Sequence, residues 1–116
     1  MTITLFHNPR CSKSRQALEL IREQGNEPHI IEYLKTPPTR EQLKEILHLL
    51  GVGPRELLRR GEEEYGALHL DNAELSDDAI IDAMVVCPKL IERPIIIHND
   101  KAIIGRPPER VLEILS

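Results

Sequence analysis

The first part of the chain constrains the fold most, because a strand, a helix and a second strand follow one another there with short connections. Residues 2–6 form a short apolar run that predicts a strand, and Asn8 and Pro9 end it. From residue 12 to about residue 23 the apolar side chains recur at helical spacing, and residues 29–34 predict the second strand. Such a β-α-β unit favours parallel strands joined by a right-handed crossover.

The middle of the chain, roughly residues 39–87, predicts helices alone. Thr39 and Gln42 form a capping box in front of a helix whose apolar residues follow the i, i+3, i+4, i+7 pattern. A short helix is expected over residues 54–59, and a longer one begins after Ser76. The segment between these two is polar and carries no clear pattern.

The last part of the chain predicts a β-hairpin followed by a helix. Strands over residues 94–98 and 101–104 flank an Asn-Asp turn, and a proline pair leads into a helix with Val111, Leu112 and Leu115 facing inward. The complete order is β-α-β, then helices, then β-β-α. This order predicts an α/β, thioredoxin-like fold: one four-stranded mixed sheet with an all-helical insertion. An α/β sandwich of another topology is the competing fold.

Length and composition fit one globular domain that binds neither nucleic acid nor membrane. The 116 residues suffice for one core, so residues 1–116 are expected to form a single domain. Aromatic residues make up 3% and the net charge is −4, which disfavours base stacking and a basic footprint for nucleic acid. No apolar run approaches the roughly 18 residues of a membrane span, and the first residues lack a signal-peptide pattern. We therefore expect a cytoplasmic protein, in a compartment where structural disulfides are rare.

Cys11 lies at the corner between the first strand and the first helix. If the helix begins near Ser12, its free N–H groups and its dipole point at the sulfur and favour the thiolate. A small buried residue that opens a helix is the alternative interpretation, but polar and basic neighbours argue against an apolar site. The neighbours expected to stabilise a thiolate are His7, Arg10, Ser12, Lys13, Ser14 and Arg15.

The spacing around Cys11 narrows the chemistry to a single thiol. Cys11 to Ser14 is C-x-x-S, which lacks the second thiol of a C-x-x-C redox site, and a phosphatase-type C-x5-R loop would need arginine where Ala17 stands. A monothiol site needs an outside thiol such as glutathione for turnover. The apolar context of Cys87 predicts a core residue rather than a resolving cysteine. We expect no metal site, because Cys11 and His7 supply only two ligands.

Three arginines stand in contexts that suit an oxyanion site. Arg59 ends a short apolar helix, Arg93 directly precedes Pro94 and an apolar strand, and Arg106 lies in the turn before the last helix. A guanidinium is permanently charged and presents a planar fork to oxyanions, although each arginine alone is also compatible with a solvated surface position. In a thioredoxin-like sheet the loop before the third strand faces the cysteine loop. Pro94 occupies the position where that fold uses a cis proline.

Five stretches, taken in order, resemble the glutaredoxin-coupled arsenate reductase family over essentially the whole chain: HNPRCSKSR, YLKTPPTREQL, RELLRR, IERPIII and GRPPE. The resemblance implies a thioredoxin-like fold with a helical insertion. It also implies that the thiolate matching Cys11 attacks arsenate to form a thiol–arsenate ester. Glutathione, a co-substrate rather than a bound cofactor, then releases arsenite, and glutaredoxin resolves the resulting mixed disulfide.

The resemblance also implies roles for the other site residues. His7 and Ser14 would tune the thiol, and Arg59, Arg93 and Arg106 would bind the oxyanion. Two alternatives stay open. One is a glutathione-dependent monothiol oxidoreductase acting on another substrate. The other is a thiol-stress transcription regulator that binds RNA polymerase, against which Ser14 argues because such regulators typically use C-x-x-C as a switch.

Overall fold

The strands and helices are taken from a computed structural model, which describes residues 3–115. Residue 2 of the first predicted strand lies outside the described residues. Short 3₁₀ turns precede the third strand, at Pro88–Leu90, and the last helix, at Pro108–Arg110. In chain order the other elements are β1 (Ile3–His7), α1 (Ser12–Glu23), β2 (His29–Glu32), α2 (Arg40–Leu50), α3 (Pro54–Leu57), α4 (Glu63–Ala67), α5 (Asp77–Val86), β3 (Ile95–His98), β4 (Lys101–Ile104) and α6 (Val111–Leu115).

The strands of residues 3–115 form one four-stranded mixed sheet in the order β2-β1-β3-β4. β1 pairs in parallel with β2 and antiparallel with β3, and β3 pairs antiparallel with β4. Phe6 marks the register, because it lies opposite Ile31 on one side and Ile95 on the other. The α/β fold with a four-stranded mixed sheet, in the thioredoxin-like arrangement, is confirmed.

The described residues divide into two compact units. One combines the residues up to Thr36 with those from Arg93 onward, and the other is Pro37–Glu92. The first unit contains the whole sheet together with α1 and α6, and the second contains α2 to α5. The predicted helical insertion, about residues 39–87, falls inside the second unit.

The core of the first unit lies between the sheet and the two helices that pack on it and on each other. Two residues of β1 that point to the same face belong to this core, together with residues of α1 and α6 at helical spacing. Burying such a side chain contributes about 1.5–3 kcal/mol. The buried cluster consists of Ile3, Leu5, Ala17, Ile21, Ile96, Val111 and Ile114.

The end of β2 and the inward face of α6 differ from the prediction. β2 ends at Glu32 because the N–H groups of Lys35 and Thr36 both donate to the Glu32 carbonyl, and Leu34 in that turn is exposed. Leu112 is also exposed, so the prediction that it faces inward is wrong. Because α6 begins at Val111 after a 3₁₀ turn, its inward face falls on Val111 and Ile114, three residues apart.

In the second unit α2 and α5 begin at the predicted caps, whereas the sequence predicts no helix at α4. The Thr39 hydroxyl accepts from the Gln42 N–H while the Gln42 side chain accepts from the Thr39 N–H, and Gly51 closes α2 in the left-handed conformation at φ +70°. The Ser76 hydroxyl caps α5 by accepting from the Ala79 N–H. None of the helices within the described ranges combines the length and apolar character needed to span a bilayer.

Arg55 binds the polar segment before Ser76, for which the sequence predicts neither helix nor strand. Its guanidinium donates to the main-chain carbonyls of Leu70, Asn72 and Leu75 at 3.1, 2.7 and 3.2 Å. One side chain therefore satisfies carbonyls that have no helix or strand to bond them.

Candidate active site

Cys11 is the N-cap residue of α1 and closes a tight loop after β1. Its backbone is extended (φ −92°, ψ 122°), its N–H donates to the Asn8 carbonyl at 3.0 Å, and its carbonyl accepts from the Arg15 N–H at 3.0 Å. The Asn8 side-chain carbonyl accepts from the Arg10 N–H at 3.0 Å, which holds the turn. The sequence places the cysteine there because Asn8 and Pro9 stop the strand and the helical pattern begins at Ser12.

The thiol of Cys11 is buried, with 9% of the residue exposed, yet it is surrounded by donors. Burial alone raises the pKa of the Cys11 thiol, but the N–H of Ser14, the guanidinium of Arg93 and the N–H of Lys13 hydrogen-bond the sulfur and outweigh it, so that the pKa lies below its ordinary value. The predicted orientation of the helix N-terminus toward the sulfur is present. The cation beside the sulfur is Arg93, whereas the side chains of Arg10 and Lys13 are exposed.

His7 and Ser14 form a buried polar pair behind the thiol loop. His7 Nδ1 lies 2.6 Å from the Ser14 hydroxyl, and the Asn8 N–H donates to the same hydroxyl at 3.1 Å. Burial lowers the pKa of His7 below its ordinary 6.5, with Arg22 and Arg15 acting in the same direction and Glu32 opposing them.

Because its pKa is lowered by burial, the His7 imidazole is neutral at pH 7, and its predicted part in tuning the thiol stays a prediction. His7 meets the thiol loop through its hydrogen bond with the Ser14 hydroxyl. Ser14 bonds the sulfur through its main-chain N–H, while its hydroxyl is engaged by His7 and Asn8.

Two C-terminal arginines of the same unit stand together at this end of the sheet. The Arg93 guanidinium reaches the Cys11 sulfur, and Arg106 Nη1 donates to the Arg93 carbonyl at 3.2 Å. The Gly105 N–H donates to the Pro94 carbonyl at 2.9 Å. The peptide bonds Arg93–Pro94 and Arg106–Pro107 are both cis. The structure thus brings Arg93 and Arg106 into the loop cluster that contains Cys11.

Arg59 belongs to the second unit, where its surroundings are acidic. Its N–H donates to the Leu90 carbonyl at 2.7 Å, and its guanidinium lies 3.4 Å from a Glu62 carboxylate oxygen and 3.5 Å from one of Glu92. The side chain is 20% exposed. Its predicted part in oxyanion binding stays a prediction.

Cys87 ends α5 and is half-buried, next to a Val86 that is 81% exposed. The prediction that Cys87 is a core residue is therefore wrong. Both cysteines lie within the described residues, and both are free thiols. Among residues 3–115, no group of three or more His, Cys, Asp or Glu side chains comes together in a way that would hold a metal ion.

Sequence reasoning missed Asn8 as a functional residue. It supplies three groups to the loop: its carbonyl bonds the Cys11 N–H, its side chain bonds the Arg10 N–H, and its own N–H bonds the Ser14 hydroxyl. The sequence signal for this role is the Asn-Pro pair directly after the strand, which by itself predicts only the end of the strand.

Comparison with known proteins decides the family. A family model described as the ArsC family matches residues 6–114. The chain belongs to the ArsC family. This ArsC-family chain is 47% identical to the arsenate reductase of Escherichia coli, a match that covers 97% of the chain and 80% of that protein. It is 51% identical to the uncharacterized protein YfgD of Escherichia coli, over 98% of the chain and 97% of the relative.

A solved structure of an arsenate reductase from Vibrio cholerae superimposes with a TM-score of 0.96 at 50% identity, covering 98% of each chain. The thioredoxin-like fold of the ArsC family is therefore the fold of this chain.

Proposed function

We propose that this ArsC-family protein reduces arsenate to arsenite through the Cys11 thiolate, with glutathione and glutaredoxin supplying the electrons. The observation that carries the proposal is the environment of the thiol: two main-chain N–H groups and the Arg93 guanidinium hydrogen-bond the Cys11 sulfur and lower its pKa. The names of relatives 45–47% identical to the chain supply the substrate. A cycle run on glutathione belongs in a reducing cytoplasm.

The first step joins two anions. The Cys11 thiolate forms a sulfur–arsenic bond, and one arsenic–oxygen bond breaks, its oxygen leaving as water after protonation. Arsenate near neutral pH is largely a dianion, so this attack requires fixed positive charge at the site. Arg93 supplies it at the sulfur, and we assign Arg106, which bonds the Arg93 carbonyl, to the oxyanion.

The second step moves two electrons. A glutathione thiolate attacks the Cys11 sulfur, a sulfur–sulfur bond forms, and the sulfur–arsenic bonding pair passes to arsenic, which leaves as arsenite. A glutaredoxin thiolate then attacks the glutathione sulfur and returns Cys11 as a thiolate. The C-x-x-S spacing of Cys11 and Ser14 supports this external route, because the chain has no thiol at position 14 to resolve the disulfide.

His7 and Ser14 are assigned to positioning. The Ser14 hydroxyl is held by the His7 ring and the Asn8 N–H, which ties the first turn of α1 to the end of β1. Since the Ser14 N–H is also a donor to the sulfur, a looser Ser14 would weaken the thiolate.

The test is coupled turnover: protein, arsenate, glutathione and glutaredoxin, with arsenite formation followed over time. Cys11→Ser is expected to abolish arsenite formation, and the matched Cys87→Ser variant is expected to retain it. Arsenite formation by Cys11→Ser would refute the nucleophile assignment. If the native protein forms no arsenite while Cys11 alkylates readily well below pH 8, the thiolate stands and the substrate assignment fails.

A further inference from the structure

A cleft of about 390 Å³ opens directly beside the thiol loop, within the same unit. One wall is the segment from His7 to Arg10, which ends one residue before Cys11, and the other is formed by the residues that follow β2. The volume lies within the roughly 300–1,000 Å³ of small-molecule sites. The mechanism assigned to Cys11 and the arginines uses none of the opposite wall.

The cleft carries a definite pattern of charge. Arg10 stands on the loop wall and Lys35 on the opposite wall, both exposed, and the Glu32 carboxylate lies 3.5 Å from the Lys35 ammonium. Leu34, 41% exposed, adds an apolar surface next to them. The cleft therefore offers two cationic groups, one carboxylate and an apolar contact.

This pattern complements glutathione, which carries two carboxylates and one ammonium around a central thiol. We propose that the cleft binds the thiol co-substrate, with Arg10 and Lys35 pairing its carboxylates and Glu32 its ammonium, and so delivers its sulfur to Cys11. The inference rests on the proposed function, because it assumes that an outside thiol attacks the Cys11 sulfur. It adds to that function the place where the outside thiol binds and the selection of that thiol by its charges.

The selectivity is tested without arsenate. In a Cys87→Ser background, Cys11 is converted to its mixed disulfide with thionitrobenzoate. An added thiolate attacks the Cys11 sulfur, the new sulfur–sulfur bond forms as the old one breaks, and thionitrobenzoate leaves as a coloured thiolate. The rate constant for glutathione is divided by that for uncharged 2-mercaptoethanol, which cancels changes in the reactivity of the disulfide itself.

Arg10→Gln and Lys35→Gln are each expected to lower this ratio about two- to five-fold, as for partly exposed ion pairs. The matched control Lys101→Gln removes the same net charge from an exposed position at the start of β4, outside the cleft, and leaves the ratio unchanged. Glu32→Gln lowers the rate with glutathione but not with mercaptosuccinate, which has two carboxylates and no ammonium.

An unchanged ratio in Arg10→Gln and Lys35→Gln, or an equal fall in Lys101→Gln, would overturn the proposal. An equal effect of Glu32→Gln on both thiols would overturn the assignment of the ammonium to Glu32. A protein that fails to reduce arsenate but shows the expected ratios keeps the thiol cleft and loses the arsenate assignment, so the two failures are distinguishable.

Discussion

Gly105 stands where the sheet, the last helix and the arginine loop meet, and it has no room for a side chain. A Cβ built there would lie 3.0 Å from Pro94 Cγ, 3.1 Å from Ile96 Cδ1 and 3.3 Å from Val111 Cγ1. Gly105→Ala therefore overpacks a buried site, and such changes cost about 1–3 kcal/mol. For a chain of this length we expect a fall in melting temperature of roughly 4–12 °C, measured by calorimetry. Urea unfolding measures the corresponding loss of free energy.

The same substitution should also change the pKa of the Cys11 thiol. The inserted methyl group pushes on Pro94, the residue after Arg93, and the Gly105 N–H also bonds the Pro94 carbonyl. Moving Arg93 away from the sulfur raises the pKa of Cys11, so the pH profile of iodoacetamide alkylation is expected to move to higher pH.

Gly66→Ala is the matched control, because no atom lies within 4 Å of a Cβ there. In α4 it should leave the stability unchanged or raise it by up to about 1 kcal/mol. A Gly105→Ala protein with native melting and native alkylation would refute the packing argument.

Three other predictions concern single side chains. Arg93→Ala should move the alkylation profile of Cys11 to higher pH and Arg93→Lys should restore part of the shift; identical profiles would exclude Arg93 as the cation at the sulfur. Because burial lowers the pKa of His7, the unfolded chain takes up a proton near pH 6.5 that the folded chain does not. The free energy of unfolding, measured with urea, should therefore fall more steeply between pH 7.5 and pH 5.5 in the native protein than in His7→Gln. An equal fall in both proteins would contradict this. Arg55→Ala should cost about 1–3 kcal/mol and speed amide exchange in residues 68–75, since three carbonyls each lose a donor and only that of Asn72 keeps another, the Leu75 N–H; slow exchange there would show that the segment does not depend on Arg55.

The elements with strong local signals were predictable from the sequence. The capping box at Thr39, the Ser76 cap and the apolar run of β1 each specify their own structure over a few residues. α4 was missed because its five residues include a glycine and no buried side chain, so no apolar face marks it. The end of β2 at Glu32 depends on turn bonds that no apolar pattern records.

The candidate site was predictable where it is local in sequence. That the N-terminus of α1 faces the Cys11 sulfur follows from the order of strand and helix alone. That Arg93 reaches the sulfur required the pairing of β1 with β3, which the predicted topology supplied. The neutral state of His7 was not accessible, because it depends on burial by residues distant in the chain, and a basic residue type next to a cysteine suggests the opposite.

The donors that stabilise the thiolate include two main-chain N–H groups, those of Lys13 and Ser14. Every residue except proline carries such a group, so the exposed side chain at position 13 can change during evolution without removing its donor. The nucleophile is in this respect robust to mutation. Part of the stabilisation of the thiolate is therefore supplied by the path of the backbone at the start of α1 and not by the identity of the side chains around it.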